Sequence, residues 1–414
     1  MKILAIETSC DDTGISIVKT PKNKRGRFKV LSNIVSSQIE VHKKYGGVYP
    51  AMAKREHQNN LIPTFKKALK KAELLKISKK SRLFRSNRSN RGSPIESGQI
   101  SGSKNNTLKE ILNKERNLYE NLKKFLEKYE KPDIDLIAVT QGPGLEPCLW
   151  VGVNFARALS FFWDIKIVPV NHIESHILVN YLKNNDIKFP AVCLIVSGGH
   201  TQLILMKGIG KYQILGETRD DAAGECFDKT AKILGLGYPG GPVISQLAKN
   251  DRKEQLSIKL PRPMINTKDY DFSFSGLKTA VLYHHKKQSV KTQKSKEYIA
   301  QMCAEIQQAI IDVLIKKTMK AVKDYNAKIP TTESPRIHDK IGTIILGGGV
   351  SANQELRRQF VEKIQKEIPN TKYLIPNTAL STDNALMIAI TGYFYKAKTK
   401  DWKKLEAKAN LRIE

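Results

Sequence analysis

The chain has 414 residues, 40% of them apolar, and its 70 lysines and arginines against 40 aspartates and glutamates give a formal charge of +30. The apolar content excludes a wholly disordered chain and suits two or three domains, while the charge makes a polyanion such as RNA or DNA the natural partner, although a lysine-favouring codon bias would produce the same excess. Five scattered cysteines without a CxxC pair signal neither a disulfide framework nor a zinc ribbon, and with no cleavable signal pattern and no run of about 18 apolar residues the expectation is a soluble, cytoplasmic protein.

In residues 2–18 two apolar extended runs, KILAIETS and ISIV, flank the turn CDDTG and predict a β-hairpin. After a polar segment, HQNNLIPTFKKALKKA carries a helical pattern. From Ser78 to Thr107 apolar periodicity nearly vanishes and Ser, Asn, Gly and Arg prevail, which predicts a disordered basic insertion in a connection. Its net charge is +6, from seven basic residues less Glu96. The helix LKEILNKERNLYENLKKFLEKY, the strand DLIAVTQ, the helix GVNFARALSFFW and the strand KIVPV follow. AVCLIVSGGHTQLILM then repeats the opening design of strand, polar turn and strand. Two such hairpins half a chain apart predict a duplicated α/β domain. A soft insertion at about 326–340 precedes IGTIILGGG, and the charged tail after Trp402 is expected to be helical.

NHIESH sets His172 and His176 four residues apart, one helical turn, so both imidazoles project from one face and can converge on an ion. Glu174 falls about 200° away on the same helix, which is not the arrangement of an HExxH protease. Ordinary hydrogen-bonded histidines would show the same spacing. A third ligand is expected from Asp383 in LSTDNALMIA, where the strand YLIP gives way to an apolar helix. Its alternative role is to cap that helix. Two histidines and a carboxylate leave coordination positions open for substrate. The glycine turns SGGHT and GGGVSAN are neither Walker A loops nor GxGxxG fingerprints, but their backbone can approach a phosphate closely.

Taken in order, AIETSCDDTGISIV, YGGVYPAMAKREHQNNLIP, GPGLEPCLWVG, NHIESH, VSGGHTQL, DDAAGECFDKTAKILGLGYPGGP, DFSFSGLKTAV, GGGVSAN and STDNALMIA closely resemble the tRNA N6-adenosine threonylcarbamoyltransferase family, formerly called O-sialoglycoprotein endopeptidases. The resemblance implies an α/β fold of two ribonuclease-H-like lobes of the actin, sugar-kinase and Hsp70 (ASKHA) type, with the active site in the cleft between them. Lobes are expected at 1–174 and 175–414, with a C-terminal helix able to pack back on the first. Implied metal ligands are His172, His176 and Asp383, binding one divalent ion per subunit, iron(II) ahead of zinc. Implied substrate contacts are Ile195, Val196, Ser197, Gly198, Gly199, Asp228, Gly241 and Asn353, with Asp11 and Asp12 as catalytic support. For Asp228, a surface pair with Lys229 or Lys232 is the plainer alternative. Ser175 and Cys226 replace residues more usual in the family, and neither change should displace the imidazoles.

The implied activity is transfer of threonylcarbamoyl from threonylcarbamoyl-adenylate to N6 of adenosine 37 in tRNAs reading codons that begin with A. A smaller paralogous subunit and a P-loop ATPase are the implied partners, with no membrane. A sugar-kinase-like ATPase of the same fold and a non-catalytic scaffold are the alternatives.

Overall fold

The computed structural model describes residues 1–21, 27–78, 100–183, 186–249, 258–329 and 340–413. It divides into two compact units. Unit 1 comprises Met1–Gln38, Val48–Leu182 and Asp383–Arg412, and unit 2 comprises Ile39–Gly47, Lys183–Thr382 and Ile413–Glu414.

Unit 1 is built on β1 (Lys2–Glu7), β2 (Asp12–Lys19), β3 (Lys29–Ser37), β4 (Leu136–Gly142) and β5 (Lys166–Asn171), in the order β3-β2-β1-β4-β5. β1 to β3 form an antiparallel meander, and β1, β4 and β5 run parallel. Every residue of β4 is buried, as expected of a central strand covered on both faces. Leu4, Ile6, Ile15 and Ile17 pack with Phe65, Phe125, Phe155 and Trp163 from the helices Pro50–Lys71, Arg116–Lys128 and Glu146–Trp163. The helix Ala385–Phe394 packs on β1 and β2. Its close approach needs Gly14, where a Cβ would stand 2.9 Å from the Ala385 nitrogen.

Unit 2 repeats the topology with β6 (Ala191–Val196), β7 (Thr201–Gly208), β8 (Lys211–Glu217), β9 (Thr343–Gly347) and β10 (Lys372–Leu374), in the order β10-β9-β6-β7-β8. Its core joins Val192, Leu194, Leu203 and Leu205 to Ile306, Ile310 and Leu314 of the 32-residue helix Lys296–Ala327. Two sheets with one strand order match the expected duplication, each with a third antiparallel strand beyond the expected hairpin. Among the described residues no helix is long and apolar enough to cross a membrane.

Several expectations are corrected. The first unit runs on past residue 174 to Leu182, so the helix bearing both histidines is not split. Of the stretch 78–107, residues Gly102–Thr107 belong to a helix, Gly102–Ile111, anchored by buried Leu108 and Ile111; residues 79–99 lie outside the described residues. The long helix expected from residue 108 is two helices, broken at Leu112–Glu115. At the second expected insertion the helix reaches Ala327, and 330–339 lie outside the described residues. The tail after Trp402 is a single 3-10 turn followed by irregular chain, because its backbone bonds to the sheet: the Lys408 amide donates to the Gln141 carbonyl at 2.7 Å.

Candidate metal centre

The helix His172–Leu178 starts where β5 ends. Asn171 caps it, its Oδ1 accepting from the amides of Ile173 and Glu174 at 2.9 and 3.1 Å. The cap sets the helical phase, so His172 and His176 stack one turn apart with ring centroids 4.8 Å apart and planes at 89°. Both are buried. Glu174 faces elsewhere and accepts from the Tyr395 hydroxyl at 2.6 Å, so it has no place as a metal-side base.

Asp383 directly precedes the helix Ala385–Phe394, but Asn384 caps that helix, accepting from the Met387 amide at 3.2 Å. With the capping role taken by its neighbour, Asp383 turns its Oδ1 to within 3.4 Å of His172 Nε2 and 3.3 Å of His176 Nε2. One donor atom from each of the three residues lies within 4.8 Å of the others. The buried imidazole of His176 makes no hydrogen bond among the described residues. A cation among the three donors would give that nitrogen the partner a buried polar group needs, so the residues present fit a divalent ion.

A second layer orients the first. Glu7, fully buried at the end of β1, accepts from the Ser9 amide and the Thr140 hydroxyl, each at 2.6 Å, and lies 3.1 Å from His172 Nδ1. A carboxylate on Nδ1 fixes a proton on that nitrogen and so points Nε2 at Asp383, where a bound cation would take the place of the second proton. Sequence reasoning missed Glu7. Its only signal was an acid closing an apolar strand.

The charges are strongly coupled. Burial opposes protonation of His172, but Asp383 and Glu7 outweigh it and push the imidazole up to about 10. Burial also opposes ionisation of Asp383 and Glu7, yet His172 holds both below the usual carboxylate range. Burial drives His176 down, towards the neutral form a ligand needs.

Asp11 ends the turn from β1, and Asp12 opens β2. Burial, then the charge of Asp383, push Asp12 up to about 7. Its Oδ1 has no hydrogen-bond partner among the described residues. His57 braces this turn, with Nδ1 2.8 Å from the Thr13 hydroxyl and Nε2 2.9 Å from the Cys10 carbonyl oxygen.

The other expected site residues belong to unit 2. Ile195 and Val196 are fully buried side chains of β6, which leaves only their backbone for any ligand. In the turn that follows, the Ser197 amide donates to the His200 carbonyl and the His200 amide to Ser197 Oγ. The exposed Gly198 and Gly199 amides make no hydrogen bond among the described residues, and a Cβ on either glycine would meet nothing within 4 Å. The Oδ1 of Asp228 accepts from the Gly240 amide at 2.7 Å, while Lys229 pairs with Asp221 and Glu225. Asp228 thereby fixes the start of the helix that carries Gly241. Asn353 caps the helix Gln354–Glu367 through the Leu356 amide and donates to Gln307 Oε1 at 2.8 Å, so its side chain already has a structural task.

The fold is the α/β type of actin, sugar kinases and Hsp70, and its first unit carries a His-His-carboxylate cluster whose two imidazoles are buried. Residues 29–79 and 113–390 match the family model for tRNA N6-adenosine threonylcarbamoyltransferase. The enzyme of that name from Thermosipho africanus is 40% identical over the whole of both chains. That from Clostridioides difficile is 40% identical over 99% of this chain and 98% of its own, and that from Persephonella marina 39% identical over 100% and 96%. The chain belongs to the tRNA N6-adenosine threonylcarbamoyltransferase family. Among solved structures, full-length HypF in its phosphate- and nucleotide-bound form superposes with a TM-score of 0.50 at 11% identity, over 95% of this chain and 55% of HypF. That likeness is one of fold alone.

Proposed function

We propose that the protein transfers the threonylcarbamoyl group of threonylcarbamoyl-adenylate to N6 of adenosine 37 in tRNAs reading codons that begin with A. The observation that carries this reading is the convergence of His172, His176 and Asp383 in a chain of this family. The exocyclic amine of adenosine is a poor nucleophile, so the carbonyl must be polarised and AMP must leave readily. A divalent ion held by the three side chains, iron(II) or otherwise zinc, supplies Lewis acidity when bound, and the ligand set suits either.

The chain's own groups supply the rest. Glu7 and Ser9 keep His172 oriented. In unit 2, considered by itself, the uncommitted amides of Gly198 and Gly199 are hydrogen-bond donors open to a substrate oxygen. Asp12, pushed up to about 7 chiefly by burial, suits acceptance of the proton that the attacking amine loses. The +30 charge suits a tRNA substrate, and phosphate contacts position such a substrate without specifying it. In this reading the protein works in the cytoplasm with a smaller paralogous subunit and a P-loop ATPase.

Mass spectrometry of tRNA nucleosides, after the gene is placed in a strain lacking the family enzyme, tests the reading. Restored N6-threonylcarbamoyladenosine supports it. An unmodified pool, with ADP formed from ATP and a sugar in vitro, would instead favour a kinase; an unmodified pool from a metal-free protein would favour a scaffold.

A further inference from the structure

From Lys396 to Lys404 the chain carries five lysines and one acid, Asp401. All five lysines are exposed. None has a carboxylate within 4 Å among the described residues, whereas Lys229, Lys320 and Lys363 do. The carboxylate of Asp401 is already engaged, accepting from the Lys403 amide at 2.8 Å.

The segment is held in place by its backbone. The Lys400 amide donates to the Ile167 carbonyl at 2.8 Å, forming an isolated antiparallel bridge with β5, the edge strand of the unit 1 sheet. Next along β5, Lys166 is also exposed. The Trp402 carbonyl accepts from Arg157 Nε at 2.8 Å, and its ring packs edge-on against Phe161 at 5.2 Å. Lys396, Lys398 and Lys403 hold their Nζ over aromatic rings, 4.3 Å from the Tyr393 centroid, 5.0 Å from Tyr395 and 5.5 Å from Trp402. Unpaired cations displayed on an ordered edge lose little freedom on meeting a phosphate backbone, and each contact releases a counterion.

We infer that Lys166, Lys396, Lys398, Lys400, Lys403 and Lys404 form a phosphate-binding strip that receives the tRNA backbone. This rests on the tRNA-modifying reading above. The partner is an RNA rather than an acidic protein because the exposed lysines recur along one backbone-anchored edge, and a tRNA backbone offers a continuous row of phosphates to meet them.

The test uses the full-length protein and an unmodified tRNA, with affinity measured by fluorescence anisotropy from about 50 to 200 mM salt. Lys396→Gln, Lys398→Gln and Lys400→Gln are combined in one variant. A second variant, with the same charge change, combines Lys67→Gln, Lys70→Gln and Lys124→Gln on exposed helix positions of unit 1. The strip variant should show a dependence of log affinity on log salt shallower by roughly 2 to 3, since each lost phosphate contact removes about 0.7 to 0.9. The second variant should keep the wild-type slope, as should a Lys→Arg version of the strip. Melting temperature and metal content should be unchanged in all. Equal slopes for the two glutamine variants would overturn the strip while leaving the tRNA reading intact. Wild-type protein without salt-dependent tRNA binding would overturn both.

Discussion

Glu7 Oε2 lies 3.1 Å from His172 Nδ1, on the side of the ring away from Asp383. All three donors around this buried carboxylate, the Ser9 amide, the Thr140 hydroxyl and His172, require acceptor oxygens. Glu7→Gln keeps the shape but turns an NH2 group against at least one donor, and a buried donor left unpaired costs about 1–3 kcal/mol. Metal affinity should fall 10- to 100-fold, the range for loss of an outer-shell partner, as read by metal titration of the apo-protein. An unchanged dissociation constant would show that His172 needs no such support.

Adjacent residues at the start of the last long helix have separable tasks. Asn384→Ala removes the cap and should cost about 1 kcal/mol of stability with metal content intact. Asp383→Ala should abolish stoichiometric metal binding and transfer, leaving the cap in place. Metal analysis beside thermal melting separates the two, and an Asp383→Ala protein that still carries one ion would remove the carboxylate from the ligand set.

Two glycines of unit 2 should respond in opposite ways. Gly348 has φ of +84°, and a Cβ there would run into the Val196 carbonyl. Gly348→Ala should therefore destabilise by about 1–3 kcal/mol from backbone conformation alone. Gly198 faces open space, so Gly198→Val should leave melting unchanged while weakening binding of a non-hydrolysable threonylcarbamoyl-adenylate analogue. If the valine variant binds the analogue normally, the turn is not part of the substrate site.

Glu115 is only 1% exposed; Asn154 donates to one of its oxygens at 3.1 Å, and the other has no hydrogen-bond partner among the described residues. Burial raises its pKa against the pull of Asn154 and Lys54. An acid that is harder to ionise folded than unfolded destabilises the fold increasingly as pH rises above its ordinary value of 4.5, and the penalty disappears below that value. Glu115→Gln should thus melt higher than wild type at pH 7, with the difference closing as pH falls below about 4.5. A glutamine variant less stable at pH 7 would mean that the Lys54 pair outweighs the burial.

The features legible in the sequence were those carried by short-range periodicity. Both hairpins show as apolar runs about a polar turn, and the histidines announce themselves by a four-residue spacing. Asp383 stood out at a strand-to-helix junction, but only the cap on Asn384 shows why its carboxylate is spare. β3 escaped notice because an edge strand buries little: in KVLSNIVSS only Ser32 is buried, and Leu31 and Ile34 are half-buried. The helix Gly102–Ile111 hid behind Ser, Asn and Gly, and is held by two apolar side chains packed on a core distant in sequence. Glu7 showed only as an acid closing an apolar strand, since its partners Thr140 and His172 come from β4 and the helix after β5.

Asp383 follows His176 by 207 positions, and all of unit 2 but its short outlying pieces is translated in the interval. A nascent chain therefore exposes two histidines long before their carboxylate leaves the ribosome. A chain stopped anywhere ahead of residue 383 lacks the carboxylate of this cluster, so the three donors can come together only after Lys183–Thr382 has been made.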